Sequence, residues 1–235
     1  MSGDDLRLPW PFAMLVAGPS GCGKTSMVAD IAVRNIRTMQ KRPKEILIYC
    51  SYDQPAYGAL RRQAGCPVTV VKGPIPDGLK TKKRTLLIVD DLQGMHSEVV
   101  SRWFTVKSHH LATSLIYIVQ NVFDKTPHHR TISLNATHIV LFKNPRDSSQ
   151  VMHLAKQVYP KDPSFLVRAY TVFTEGRPHS YIVMDFNQRT PDHLRFRSGL
   201  FPYDMFPPTY VYAREEFDQT PEFLRQRALS DPADN

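Results

Sequence analysis

Apolar residues along the chain fall into short blocks with two different periods. Unbroken apolar runs occupy residues 12–17, 45–50, 85–89, 114–119 and 138–142, and residues 68–71 are largely β-branched. Runs of this length without alternation fit strands buried on both faces, as in a parallel sheet covered by helices. Between them the apolar positions take helical spacing. Val28, Ile31, Ala32, Ile36 and Met39 predict one helix over residues 25–40, and Val99, Val100, Trp103 and Phe104 mark another. Residues 56–64 read as a short helix. Asp147 and Gln150 stand three apart, like a capping box, ahead of Val151, Leu154, Ala155 and Val158. Asp162 and Pro163 open a further helix with proline at its first position. Residues 179–186 alternate as a strand, whereas 1–11, 73–78 and 121–135 read as polar, irregular connections. The alternation of strands and helices predicts a doubly wound α/β sheet.

The 235 residues suit one large domain, expected over residues 1–188. Residues 189–235 are rich in proline, arginine and aromatics without a clear period, and read as an irregular C-terminal extension with a short helix signal near 221–229. There is no internal repeat.

One connection carries chemistry. Gly18, Pro19, Ser20, Gly21, Cys22, Gly23, Lys24 and Thr25 match G-x-x-x-x-G-K-[ST] at every specified position. Glycines let backbone N–H groups turn inward around phosphates, Lys24 can reach β/γ-phosphate oxygens, and the Thr25 hydroxyl can ligate Mg²⁺. The motif sits between a predicted strand and a predicted helix, so a helix N-terminus faces the anion. A nucleoside triphosphate such as ATP is the expected ligand.

Composition narrows the setting. The longest apolar runs are too short to cross a bilayer, and no basic-then-apolar leader opens the chain, so no membrane association is expected. Cys22, Cys50 and Cys66 lack metal-ligand spacing, and a disulfide at Cys22 would interfere with the phosphate loop; a reducing intracellular compartment follows. The net charge of +8 and pI near 9.4 suggest a polyanionic partner. Basic residues cluster at Arg34, Arg37, Lys41, Arg42 and Lys44, at Lys80, Lys82, Lys83 and Arg84, and at Arg189, His193, Arg195 and Arg197.

Further candidates lie at strand ends. Asp90 closes an aliphatic run, as expected of a Walker-B acid on Mg²⁺, and Asp91 beside it could orient and deprotonate the attacking water. Gln120, after the next apolar run, suits a polar sensor near the γ-phosphate. Arg130, in the polar segment that follows, is the first choice for an arginine acting on a neighbouring subunit's nucleotide, and Arg146 is its rival. Adjacent His128 and His129 diverge and have no acidic or cysteine partner spaced for zinc, so zinc is rejected.

Taken in order, residues 18–25, 87–92, 120–123, 130–135 and 141–147 resemble the viral genome-packaging ATPases of the FtsK–HerA superfamily. The version in Polinton-like and adintovirus-like elements, related to poxvirus packaging ATPases, is the most similar in pattern. The resemblance covers about residues 11–160. It implies a RecA-like core, a ring homo-oligomer, and ATP-driven movement of double-stranded DNA into a preformed capsid. It also implies Asp90 on metal, Asp91 as base, Gln120 as sensor and an arginine acting in trans. Capsid or portal components are the implied partners, in the host nucleus (slightly favoured) or cytoplasm, with virion association a further expectation. Asp91 departs from the superfamily's usual glutamate. Two other readings stay open: a nucleotide or small-molecule kinase, whose loops share this glycine pattern, and a DNA-binding adaptor that uses ATP only to assemble. No Leu-Ser-Gly-Gly-Gln signature supports ABC-type transport.

Overall fold

The unbroken apolar runs form the middle of a twisted sheet, because only a strand with both faces covered can bury every one of its side chains. In the computed structural model, which describes residues 6–90, 92, 97–123, 127–176, 178–200 and 209–210, these are β1 (Ala13–Ala17), β2 (Glu45–Cys50), β4 (Thr85–Asp90), β5 (Ser114–Val119) and β6 (His138–Phe142). The shorter β3 (Val68–Lys72) forms the edge beyond β2 and is largely exposed. Among the described residues the order is β3-β2-β4-β5-β1-β6-β7-β8-β9, and β3 through β6 run parallel. The antiparallel strands β7 (Tyr181–Asp185), β8 (Phe196–Arg197) and β9 (Thr209–Tyr210) extend the other edge. The sheet is therefore mostly parallel, and it continues past residue 188 through β8 and β9.

Alternate side chains of each strand enter two separate cores, as the twofold period of a strand requires. Met14, Val16, Leu86, Ile88, Ile116 and Ile118 face one side, where α1 (Lys24–Val33) and α3 (Pro55–Gln63) cover them. Leu15, Leu87, Val89, Leu115, Tyr117 and Leu141 face the other, under α4 (Ser97–Arg102), α6 (Pro127–Asn135), α7 (Ser149–Val158) and α8 (Pro163–Thr174). Each fully buried aliphatic side chain contributes about 1.5–3 kcal/mol relative to exposure. Helices on both faces make the fold α/β and doubly wound.

Two expectations fail for identifiable reasons. The single helix predicted over residues 25–40 breaks at Arg34 into α1 and a short α2 (Asn35–Thr38). The buried Asn35 amide donates to the carbonyls of Ala32 and Ala64, and the Thr38 hydroxyl donates to those of Ile31 and Arg34. Side chains thus take up carbonyls at the end of the helix, and Ile36 is left exposed. Conversely, residues 121–135 are not wholly irregular, since α6 occupies Pro127–Asn135 with proline at its start. Its inward positions are His129, Ile132 and Ser133, continued by Ala136. Their spacing is helical, but with one large aliphatic residue among them the apolar stripe does not register.

The α4 helix passes through a π-turn (Trp103–Lys107) into α5 (Ser108–His110), burying Trp103 completely. Among the described residues no helix is long and apolar enough to cross a membrane.

Candidate nucleotide site

The phosphate loop springs from the carboxyl end of β1, the edge at which open parallel sheets bind ligands. The Gly18 N–H donates to Val119 O (3.3 Å), which ties the loop to the end of β5. A Cβ on Gly18 would lie 2.6 Å from Phe142 Cβ and 2.8 Å from Cys22 Sγ, so only glycine fits there. Gly23 adopts a left-handed conformation (φ 100°) and starts α1. The first-turn N–H groups of α1, which have no helical partners, are thereby presented to the loop, as anion binding requires. The Lys24 ammonium donates to Gly18 O (2.7 Å) and Pro19 O (2.9 Å), which holds its charge over the loop. Ser20 and Gly21 are exposed at the loop's crest. Burial pushes the Cys22 thiol up, while the Lys24 charge pulls the other way.

Thr25 and Asp90, 65 residues apart in sequence, meet beneath this loop. The Thr25 hydroxyl donates to Asp90 Oδ2 at 3.2 Å. Asp90 is only 3% exposed, at the carboxyl end of β4. Hydroxyl and carboxylate oxygens are the hard donors that Mg²⁺ takes, so the pair fits the ion predicted for it. A third group completes the cluster: the Tyr57 hydroxyl, from α3, donates to the same Oδ2 at 2.5 Å. Burial, then the Asp90 charge and this hydrogen bond, push the Tyr57 phenol far above its ordinary range, so it stays a donor. The sequence reading missed Tyr57. The available signal was a tyrosine at a core position of a short helix, because a buried phenol needs a hydrogen-bond partner.

Strand order positions the remaining candidates. β5 lies between β1 and β4, so Gln120, exposed just past the end of β5, sits between the phosphate loop and the Asp90 strand end. The segment after it is pinned by the buried Gln150, whose Oε1 accepts from Val122 N (3.1 Å) while its Nε2 donates to Asp147 Oδ2 (3.0 Å). Asp147 also accepts from the Ser149 N–H and hydroxyl. The hydrogen bonds from Ser149 and Gln150 hold its carboxyl below the usual range. The capping box predicted from Asp147 and Gln150 is not formed: Ser148 stands at the N-cap of α7 without a side-chain cap bond, and the Gln150 side chain instead reaches Val122 and joins α7 to the Gln120 loop. Arg130 lies in the first turn of α6 and Arg146 in the turn after β6; both are exposed. Asp91 lies outside the described residues, as do residues 211–235.

The basic clusters divide differently from their order in sequence. The first two merge: Lys44 N donates to Arg84 O (2.8 Å), and the Arg84 guanidinium donates twice to Arg42 O (2.9 and 2.6 Å). Arg37, Lys41, Arg42, Lys44, Lys82 and Lys83 are exposed around this junction, at the amino ends of β2 and β4. The third cluster is partly internal. Arg197 is 2% exposed and donates to Asp185 Oδ2 (3.1 Å) and Leu6 O (3.1 Å), while Arg195 donates to Asp192 and to the Asp185 and Asn187 carbonyls. Arginines that read as a polyanion patch here fasten β8 to β7 and to the start of the chain.

No protein-family model and no curated protein matches the chain. Solved structures do. The genome packaging NTPase B204 from Sulfolobus turreted icosahedral virus 2, in complex with AMP, is similar at TM-score 0.51 and 14% identity, over 77% of this chain and 95% of that one. The same protein in complex with AMPPCP gives 0.49 and 13%, over 77% and 95%. The cytoplasmic domain of the Thermomonospora curvata Type VII secretion ATPase EccC gives 0.43 and 13%, over 76% of this chain and 23% of that one. The B204 likeness is one of fold: the chain shares the α/β architecture of that structure.

Proposed function

We propose that this chain is an ATPase that drives double-stranded DNA into a viral or virus-like capsid, as a ring homo-oligomer of the FtsK–HerA packaging type. The Polinton-like, adintovirus-like and poxvirus-related branch is the one its motifs resemble. The observation that carries the hydrolytic part is the strand order β4-β5-β1, which sets Asp90, Gln120 and the phosphate loop on three adjacent strand ends. In this reading the loop's N–H groups and Lys24 hold the triphosphate. Thr25 and Asp90 would hold Mg²⁺, which neutralises phosphate charge when bound. Asp91 takes the proton of a water that Gln120 orients. The water oxygen bonds to the γ-phosphorus as its bond to the β–γ bridging oxygen breaks, and ADP leaves. Arg130 of the partner subunit, with Arg146 as the alternative, stabilises the charge that develops.

The merged basic face and the net charge of +8 support a nucleic-acid partner, since phosphate neutralisation supplies most non-specific DNA affinity. Capsid or portal proteins and a host nuclear or cytoplasmic setting belong to the same proposal. The test is ATP turnover with and without duplex DNA, with oligomeric mass measured alongside. DNA-stimulated turnover by a ring is expected. Equal rates with and without DNA refute the motor, and phosphate transfer to a nucleoside monophosphate points to a kinase instead.

A further inference from the structure

The carboxyl edge of a parallel sheet receives the turns that follow its strands. It also receives the turn that precedes an antiparallel strand. β7 runs against β6 with Tyr181 opposite Phe142, so the connection from α8 into β7 arrives at the edge that carries the phosphate loop. That connection is fastened at several points. The Lys143 N–H donates to Ser180 O (3.0 Å), the Ser180 hydroxyl donates to Thr174 O (3.1 Å), and the Phe142 and Tyr181 ring centroids stand 5.0 Å apart. His179, next to Ser180, is exposed and holds a left-handed backbone (φ 59°).

From there His179 reaches the phosphate loop. Its Nδ1 is 3.1 Å from Cys22 O, and its ring lies 3.5–3.7 Å from where a Gly23 Cβ would be. A carbonyl only accepts, so Nδ1 carries the proton and donates. In a planar trans peptide the carbonyl and the N–H that follows it point to opposite sides. Holding the Cys22 carbonyl toward His179 therefore turns the Gly23 N–H the other way. That N–H belongs to the loop whose backbone donors cradle phosphate. Glycine enters positive and negative φ about equally, so nothing within Gly23 fixes which way this peptide faces. The constraint has to come from outside the loop, and His179 supplies it.

We infer that His179 is a positioning residue of the phosphate loop, clamping the Cys22–Gly23 peptide with its N–H toward the anion. The inference rests on the proposed phosphate site and adds to it a residue far outside the motif. His179 acts through the peptide, not on the nucleotide. A loop already held in its binding conformation has less to order when ligand arrives, which raises affinity. The residue type suits both demands. Histidine, like asparagine and aspartate, enters the left-handed region more often than other side chains do, and its Nδ1 donor is two bonds from Cβ.

The test is calorimetric titration of the full chain with inorganic tripolyphosphate and with ATP. His179→Gly suits the left-handed backbone and removes the donor. It is expected to weaken both ligands by the same factor, about 3–10-fold, the worth of one hydrogen bond. His179→Asn keeps a residue at home in this backbone region and places an amide N–H two bonds from Cβ, where Nδ1 stood. It is expected to recover most of the lost affinity for both ligands. A glycine variant that binds tripolyphosphate as tightly as wild type overturns the clamp, as does an asparagine variant no tighter than the glycine one. A loss confined to ATP also overturns it, by placing His179 on the nucleoside instead. In each of these cases wild-type binding of tripolyphosphate leaves the phosphate site standing. Wild type that binds neither ligand overturns the phosphate site, and the clamp with it.

Discussion

The Tyr57 hydroxyl offers the sharpest test of how the candidate site is held together. Tyr57→Phe keeps the ring that fills the core between α1 and α3 and removes one oxygen. That oxygen donates to the buried Asp90 carboxylate at 2.5 Å. A hydrogen bond to a charged group is worth about 1.5–3 kcal/mol. Because Thr25 still donates to the same oxygen, the lower part of that range, about 2 kcal/mol, is the expected loss. At about 2–4 °C per kcal/mol for a domain of this size, the melting midpoint should fall by roughly 4–8 °C. The same change releases a carboxylate proposed to hold Mg²⁺. Loss of a group that orients a metal ligand commonly costs about 10–100-fold in metal affinity or activity. Thermal unfolding without nucleotide reads the first effect, and ATP turnover against Mg²⁺ concentration reads the second. A midpoint within about 1 °C of wild type, together with an unchanged Mg²⁺ dependence, would refute the claim that Tyr57 positions Asp90.

Four other outcomes are expected. Gly18→Ala drives a Cβ to within 2.6 Å of Phe142, so overpacking should cost about 1–3 kcal/mol in chemical denaturation and weaken ATP binding in titration. Arg197→Met leaves the Asp185 carboxylate buried without its guanidinium, for a loss of about 3–5 kcal/mol by urea unfolding. Burial pushes the Asp185 carboxyl up, but His138, the Asn187 N–H and Arg197 outweigh it and hold the group below the ordinary range. Its stabilisation is therefore complete above the unfolded value of about 3.9 and is lost as pH falls through the lowered folded value. Asp185→Asn should flatten the acid limb of stability measured from about pH 5 downward. Changing Lys41, Lys44 and Lys83 together to Gln should shrink the salt dependence of duplex binding by about 0.9 in log–log slope for each phosphate no longer neutralised; an unchanged slope places the DNA elsewhere.

The outcome for the helices shows what kind of signal survives in a sequence. The central strands could be read because both faces of each are buried, leaving unbroken apolar runs whose ends match the observed β2, β5 and β6. The α6 helix could not, because histidine and serine fill its inward positions and periodicity records polarity alone. The break at Arg34 depends on Asn35 meeting the carbonyl of Ala64, 29 residues away. The two-residue β8 is too short to carry a period, and it exists through its pairing with β7.

For the site, the sequence by itself determined the phosphate loop, because backbone geometry there demands glycines at fixed spacing and the chemistry demands Lys24 and Thr25. It also marked Asp90 and Gln120 as polar residues at the ends of apolar runs. Only the tertiary structure decided that β5 separates the loop from Asp90, that Tyr57 completes the Asp90 cluster, and that His179 closes over the loop by meeting Cys22, 157 residues before it. It also merged two basic clusters and turned part of a third into an internal fastening. The physical reason is common to all of these. Local chemistry is written in neighbouring residues, whereas strand order, burial and the pairing of distant polar groups are set by how the whole chain covers its two cores.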